Sequence, residues 1–285
     1  MKLWGESLAR RLFLLTALSA IASLLLIAVF IFKEGVPFIF RVGVRDFLFS
    51  SDWQPQAGKF GIYPMMIASV WVTLGAMVIG APLGVGGAIF LNEFLPRPFL
   101  RVIKPCVELL AGIPSVVYGF IGVMVVAPFI RAHLGGPGLS VLAASLILGL
   151  MILPTVISIS SDAIGAVPQS YREGALALGA TRWQSVHMVV LKAARPGIIA
   201  SIILAMGRAI GETMAVIMVA GNAVRVPHSP LDSVRTLTAN IALEMGYATG
   251  LHRQALFATG VVLFVIIMLL NAAAMAAMRK RAGAP

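Results

Sequence analysis

Two ionisable residues, Arg208 and Glu212, stand inside an otherwise apolar run from Ile198 to Ala220. An unpaired ionised side chain at the centre of a bilayer costs about 2.5 to 3.5 kcal/mol on insertion scales, so both need a reason to be there. Their i, i+4 separation sets them on one face of a helix, and that spacing admits two readings. In the first, the pair neutralises itself, easing insertion or fixing helix packing. In the second, the face lines a path for an anion. A guanidinium stays charged and offers a planar fork to two oxygens of an oxyanion, while the carboxylate holds it in register and tempers its grip so that cargo is released. Gly207 and Gly211 flank the pair and allow a neighbouring backbone to approach.

A second, weaker set of candidates lies in the third apolar run. Gly112 and Pro114 predict a bend there, and Ser115 and Tyr118 are candidate polar contacts on it. Glu108, at the start of that run, reads as a structural carboxylate near the positive end of the helix dipole. Other chemistry finds no residues to carry it. No G-x-x-x-x-G-K-[ST] cradle for phosphates occurs, and no G-x-S-x-G elbow. His133, His187, His228 and His252 are dispersed without metal-ligand spacing and read as solvated loop residues. No metal site, no cofactor and no catalysis by this chain are expected.

The elements that must position these side chains are membrane helices. Of 285 residues, 59% are hydrophobic and 12% charged, which excludes a soluble globule, a disordered chain and a fibre. The single cysteine, Cys106, excludes an internal disulfide framework. A net charge of +11 reads as topology signal and not as a nucleic-acid footprint, because the basic residues are scattered between apolar spans. Leu12 to Phe32, Tyr63 to Leu91, Val107 to Ile130, Leu139 to Ser160, Ile198 to Ala220 and Leu256 to Met278 are six candidate spans. The first is too long for a signal-peptide core and has no small-residue cleavage site after it, so it reads as a retained helix. With both termini inside, thirteen of the twenty-two Lys and Arg residues are cytoplasmic, eight lie outside, mostly in two long loops, and Arg208 lies within a span. That balance gives an N-in, C-in, all-α membrane protein. Residues 1–60 form an N-terminal helix and outer loop, and residues 61–285 a five-helix core. Asp232, Arg235, Glu244 and Arg253 in the outer loop from Asn222 to Gln254 read as solvated charges.

Ser161 to Gly197, between the fourth and fifth spans, is a polar cytoplasmic segment with two helix starts. Ser170 with Glu173, and Thr181 with Gln184, each fit a capping box. Gly179 falls between them, where a left-handed residue would end the first helix. That helix, Tyr171 to Leu178, presents Ala175, Leu176 and Leu178 as a surface that wants a partner. The ends of the spans, or another chain, would satisfy it.

The stretch Glu173-Gly174-Ala175-Leu176-Ala177-Leu178-Gly179, with Val189 and Leu191 downstream, resembles the EAA loop of ABC importer permeases. Gly174 replaces an alanine of that pattern, weakening helix propensity by under about 1 kcal/mol. Lys192 replaces its proline, which predicts that the second helix runs on to Pro196. The stretches Glu108 to Gly119, Arg208 to Ala215 and Arg235 to Thr238, with Phe60 to Pro64 and Ala81 to Gly84, resemble the PstC type of permease in phosphate-specific ABC importers. The resemblance implies a type I importer permease that pairs with a second, PstA-like permease subunit around a central path. It further implies an ATP-binding, PstB-like subunit dimer docked at Glu173, Gly174, Ala175, Leu178 and Gly179, and an external PstS-like phosphate-binding protein. ATP would be bound by the partner subunit. The arginine and glutamate of the Arg208 to Ala215 stretch are implicated in phosphate passage in that family. Sulfate or molybdate as cargo, an ATP-independent secondary anion transporter and a non-transporting sensor on the same scaffold are the competing expectations.

Overall fold

A computed structural model describes the backbone of residues 2–282 and the side chains of 10–96, 98–273, 275 and 276. The orienting side chains of Lys2, Arg97, Arg279, Lys280 and Arg281, and the end of the predicted core at 283–285, lie outside the described residues. Among the described residues the regular structure is helical apart from a two-stranded hairpin, β1 (Trp53–Gln54) and β2 (Lys59–Phe60), in which Trp53 pairs with Phe60, and an isolated bridge between Gly221 and Val234. Six helical stretches are long and apolar enough to cross a membrane: Arg10–Val42, Tyr63–Phe94, Ser115–His133, Val141–Gly165, Arg182–Gly211 and Gly250–Ala273.

Two of these spans correct the sequence expectation. The third span begins at Ser115 and not at Val107, because Gly112, Ile113 and Pro114 interrupt the helix. The residues before the break form a separate helix, α4 (Arg97–Ala111), which carries Glu108 exposed and outside any span. The fifth stretch runs through Pro196, further than expected, and ends at Gly211 instead of Ala220. Prolines are tolerated within membrane helices where neighbours and local π adjustments satisfy the freed backbone, and a π-helical turn at Val186–Val190 precedes this one.

The other elements are α1 (Lys2–Val42), α2 (Val44–Phe49), α3 (Tyr63–Ile89), α5 (Ser115–Ile121), α6 (Ala127–His133), α7 (Val141–Gly165), α8 (Gln169–Ala177), α9 (Arg182–Ser185), α10 (Leu191–Gly211), α11 (Met214–Val219), α12 (Leu237–Glu244) and α13 (Gly250–Ala282). The central contact is between α3 and α7. A Cβ on Gly80 would lie 2.6 Å from the Ile152 side chain and 2.7 Å from the Gly149 carbonyl, and one on Gly84 would lie 2.6 Å from Val156. Small residues let these backbones close up where lipid supplies no hydrophobic drive for association. Ala68, Val72, Ala76, Ile147 and Leu148 fill the seam. α1 lies as a strap on α13, joined by edge-to-face rings at Phe30–Phe257 (5.4 Å) and Phe32–Phe264 (5.5 Å).

The outer segment after α11 does not remain in solvent. The amide of Leu237, at the start of α12, donates to Ser69 Oγ at 3.0 Å, and Thr238 Oγ1 donates to the Glu212 carbonyl at 3.0 Å. Ser69 lies about two turns, roughly 9 Å, into α3 from its outer end. The segment therefore folds back into the bundle, a point on which sequence pattern is silent.

Candidate functional site

Arg208 sits in the last turn of α10, and its Nη1 donates to Thr155 Oγ1 of α7 at 3.3 Å. Thr155 is about ten residues, or roughly 15 Å, from the Gly165 end of α7 and about 21 Å from the Val141 end, so the guanidinium lies at mid-span depth. It is exposed on the chain's surface, in line with exposed Leu204 and Gly211. Nothing lies within 4 Å of where a Cβ would stand on Gly207 or Gly211, so the space in front of this face is open.

Glu212 does not pair with Arg208, and the predicted shared face does not form. An i, i+4 pair requires a continuous helix, whereas the chain leaves the helix at Glu212, which is extended (φ −68°, ψ 131°). The carboxylate instead turns to the next helix, where Oε1 accepts from the Ala215 amide at 3.1 Å in α11. Among the described residues no ion pair joins the two. Glu212 therefore neither holds Arg208 in register nor neutralises it. The arginine is left with one neutral hydroxyl partner, which removes the self-neutralised reading.

The predicted bend is present, and Tyr118 braces it. The Tyr118 hydroxyl donates to the Leu110 carbonyl across the Gly112–Pro114 break at 3.0 Å, and its ring packs against the α3/α7 core. Ser115 opens α5 directly after Pro114 and is half-buried. Among the described hydrogen bonds neither residue contacts Arg208.

A polar knot on the outer side overturns the expectation of solvated charges at two positions. Glu244 is buried and accepts from Arg235 Nη1 at 2.6 Å and Trp53 Nε1 at 2.9 Å, and its Oε2 lies 2.8 Å from His252 Nε2. Arg235 also donates to the Asn222 carbonyl and to Asn240. His252 is half-buried, contrary to expectation, while His133, His187 and His228 are exposed. Desolvation explains the pairing, because a carboxylate is buried at acceptable cost only when its oxygens are matched by donors. The knot floors a hollow of about 900 Å³ lined by Trp53, Tyr247 and Leu251 among others. Arg253 remains exposed, over the Phe257 ring. Asp232 organises a turn by accepting from the amides of His228 (2.9 Å) and Ser229 (3.0 Å), which hold its carboxyl below the usual value.

At the cytoplasmic end, the second capping box forms as expected. Gln184 N donates to Thr181 Oγ1 at 3.3 Å, and Thr181 N to Gln184 Oε1 at 2.8 Å. The first does not, because α8 starts at Gln169 behind Pro168, and Ser170 and Glu173 fall within the helix without capping it. Gly179 is left-handed (φ +85°), with Ala180 N bonded to Ala175 O and Gly179 N to Leu176 O, the Schellman pattern. Glu173, Gly174 and Gly179 are exposed, Ala175 is half-buried, and Leu178 is 90% exposed. Tyr171 and Leu176 are exposed beside Leu178, and large apolar side chains grouped in this way on a polar loop mark an unpartnered surface.

Sequence reasoning missed the residue that fixes this loop. Glu93, buried at the cytoplasmic end of the second span, accepts from Arg172 of α8 at 2.6 Å, while Arg182 of α9 donates to the Glu93 backbone carbonyl. Arg172 also donates to the carbonyls of Val167 (2.8 Å) and Ile164 (3.1 Å), so each of its three nitrogens is engaged. The Arg182 guanidinium lies 5.6 Å over the Phe94 ring. A carboxylate directly after an apolar span, in a cytoplasmic segment otherwise basic, was the available signal.

Comparison with known proteins matches this architecture. Residues 80–282 match the model of the family described as binding-protein-dependent transport system inner membrane component. A relative from Bacillus subtilis, named a probable ABC transporter permease protein, is 44% identical over 260 residues, covering 89% of this chain and 84% of its own. The phosphate transport system permease protein PstC of Mesorhizobium japonicum is 40% identical over 250 residues, covering 80% and 76%. The fold resembles a bacterial ABC transporter involved in alginate import, with a TM-score of 0.62 at 16% identity over 98% of this chain and 99% of that one. Six spans, a cytoplasmic helix pair between the fourth and fifth, and matches of this extent show that the chain belongs to the binding-protein-dependent transport system inner membrane component family, the membrane permeases of ABC transporters.

Proposed function

We propose that this chain is the permease subunit of an ATP-driven importer of inorganic phosphate in a prokaryotic inner membrane, forming half of the translocation path. The observation that carries the reading is the Arg208 guanidinium, exposed at mid-span depth with a single hydroxyl partner. Such a group facing lipid bears the full insertion cost, whereas facing a second permease subunit across a hydrated path it meets anionic cargo. Its planar fork suits tetrahedral oxyanions, and the PstC relative supplies the choice of phosphate.

The remaining partners follow from the same reading. The exposed helix α8, with Leu178 at its tip, is the docking element for an ATP-binding subunit dimer. ATP is hydrolysed there and not in this chain, which lacks a P-loop motif. An external phosphate-binding protein delivers cargo to the outer surface. Glu212 serves the path indirectly, by capping α11 and so ending α10 just past Arg208. The test is radiolabelled phosphate uptake in a strain deleted for this gene, with sulfate as control anion. Loss of phosphate uptake with sulfate uptake intact is expected. Unchanged phosphate uptake, or loss of sulfate uptake alone, overturns the assignment.

A further inference from the structure

The coupling loop is gripped at two points that lead to opposite sides of the Arg208–Thr155 contact. One grip is covalent, since α9 continues through the π-helical turn into α10, which carries Arg208. The other is Glu93. It receives Arg172 from α8 on its side chain and Arg182 from α9 on its backbone, with exposures of 16% for the Arg172 side chain and 8% for that of Glu93. Glu93 lies in the last turn of the stretch that begins with α3, and α3 is locked onto α7 at Gly80 and Gly84. Thr155, the hydroxyl that holds Arg208, is the neighbour of Val156, the residue against which Gly84 closes.

We propose that Glu93 is the joint through which displacement of the coupling loop reaches the α3/α7 slab, making it a positioning residue for transport. The inference rests on the ATP-driven reading above. With both grips intact, movement of α8 shifts α10 and the α3/α7 slab in a fixed relation, and so sets the geometry between Arg208 and Thr155. With Glu93 released, the same movement is absorbed at the loop. A charged pair of this burial suits such a joint, because its short, forked geometry resists sliding in a way that apolar packing does not. Coupling is carried by contiguous packed elements, and α8, Glu93, α3, α7 and Thr155 form such a continuous series of contacts.

The experiment uses the complete complex, with its partner permease, ATP-binding subunits and external binding protein, in liposomes supplied with inorganic phosphate. The readouts are phosphate moved per ATP hydrolysed, and stimulation of hydrolysis by the binding protein as purified. Glu93→Gln should lower phosphate moved per ATP at least tenfold while the ATP-binding subunit still co-purifies. A second variant, Glu93→Cys with Arg172→Cys in a Cys106→Ser background, should be uncoupled until joined by a cleavable bifunctional thiol reagent. Joining should restore coupling to within threefold of the parent, and a reductant should abolish it again. Coupling within twofold of the parent in Glu93→Gln overturns the proposal. So does a loss that joining does not restore, or failure of both variants to assemble, which would assign the pair to folding alone. A parent complex that hydrolyses ATP but moves no phosphate sinks the phosphate reading instead. The Glu93 comparison then stands on binding-protein stimulation, which presumes no cargo.

Discussion

Replacing Arg208 by Gln, Lys and Glu in turn tests the charge and the shape of the group separately. At about 4 Å, a guanidinium and a unit negative charge interact by roughly 4 kcal/mol at an effective dielectric of 20 and roughly 1 kcal/mol in bulk water. The group lies about 15 Å from the cytoplasmic end of α7 and about 21 Å from the outer end, yet it is exposed, so its surroundings fall between those limits. Removing the charge in Arg208→Gln should therefore cost about 1 to 4 kcal/mol of interaction, a fall in uptake efficiency of about fivefold to several hundredfold. Arg208→Lys keeps the charge and loses only the fork, so its loss should be smaller, under about tenfold. Arg208→Glu replaces attraction by repulsion of similar size and should abolish uptake. The assay is radiolabelled phosphate uptake in the deleted strain, with co-purification of the ATP-binding subunit confirming assembly. Because Arg208, among the described residues, makes one neutral hydrogen bond and no ion pair, none of the three should disturb folding by more than about 1.5 kcal/mol. Uptake by Arg208→Gln within twofold of the parent, or normal uptake by Arg208→Glu, would refute the anion role.

Other changes probe the frame around that group. Glu244→Ala leaves Arg235 without its counter-charge and the Trp53 and His252 ring nitrogens without their partner, and should destabilise by about 3 to 5 kcal/mol; a loss below about 1 kcal/mol in detergent unfolding would show that the knot is solvated. Gly80→Val drives a side chain into Ile152 and the Gly149 carbonyl and should cost about 1 to 3 kcal/mol by overpacking, read as a lowered midpoint of thermal aggregation. The Asp232 carboxyl is held below its ordinary value of 3.8 by the His228 and Ser229 amides, so its contribution is present above that value and fades as pH falls through the folded value. Asp232→Asn should therefore speed hydrogen exchange in the 225–234 turn at pH 6, with a difference that shrinks as pH is lowered below 3.8; a difference that grows on acidification would exclude the carboxylate as the cause.

Much of the architecture was legible because membrane helices are written in local pattern. Apolar runs of bilayer length between charged or Gly/Pro punctuation located six spans, and the Gly112–Pro114 bend, the Gly179 turn and the Thr181–Gln184 box all appear where their residue types require. These are decided by backbone hydrogen bonding within a few residues. Boundaries shifted where two local signals competed, as when Pro168 began α8 ahead of Ser170. The Arg208 to Glu212 spacing misled because periodicity assumes an unbroken helix, and the chain leaves it at Glu212 itself.

The sequence by itself determined that this is a multi-span permease with an arginine inside an apolar run and a polar loop of two short helices between its fourth and fifth spans. Only the tertiary structure decided what each charge meets. Glu93 finds Arg172 across 79 positions and Trp53 finds Glu244 across 191, because helices that become neighbours in the bundle must match every buried charge to a donor. Sequence separation carries no record of which helices those will be. The packing that satisfies Glu93 and Glu244 leaves Arg208 exposed, with the Thr155 hydroxyl as its one partner among the described residues and open space in front of its face.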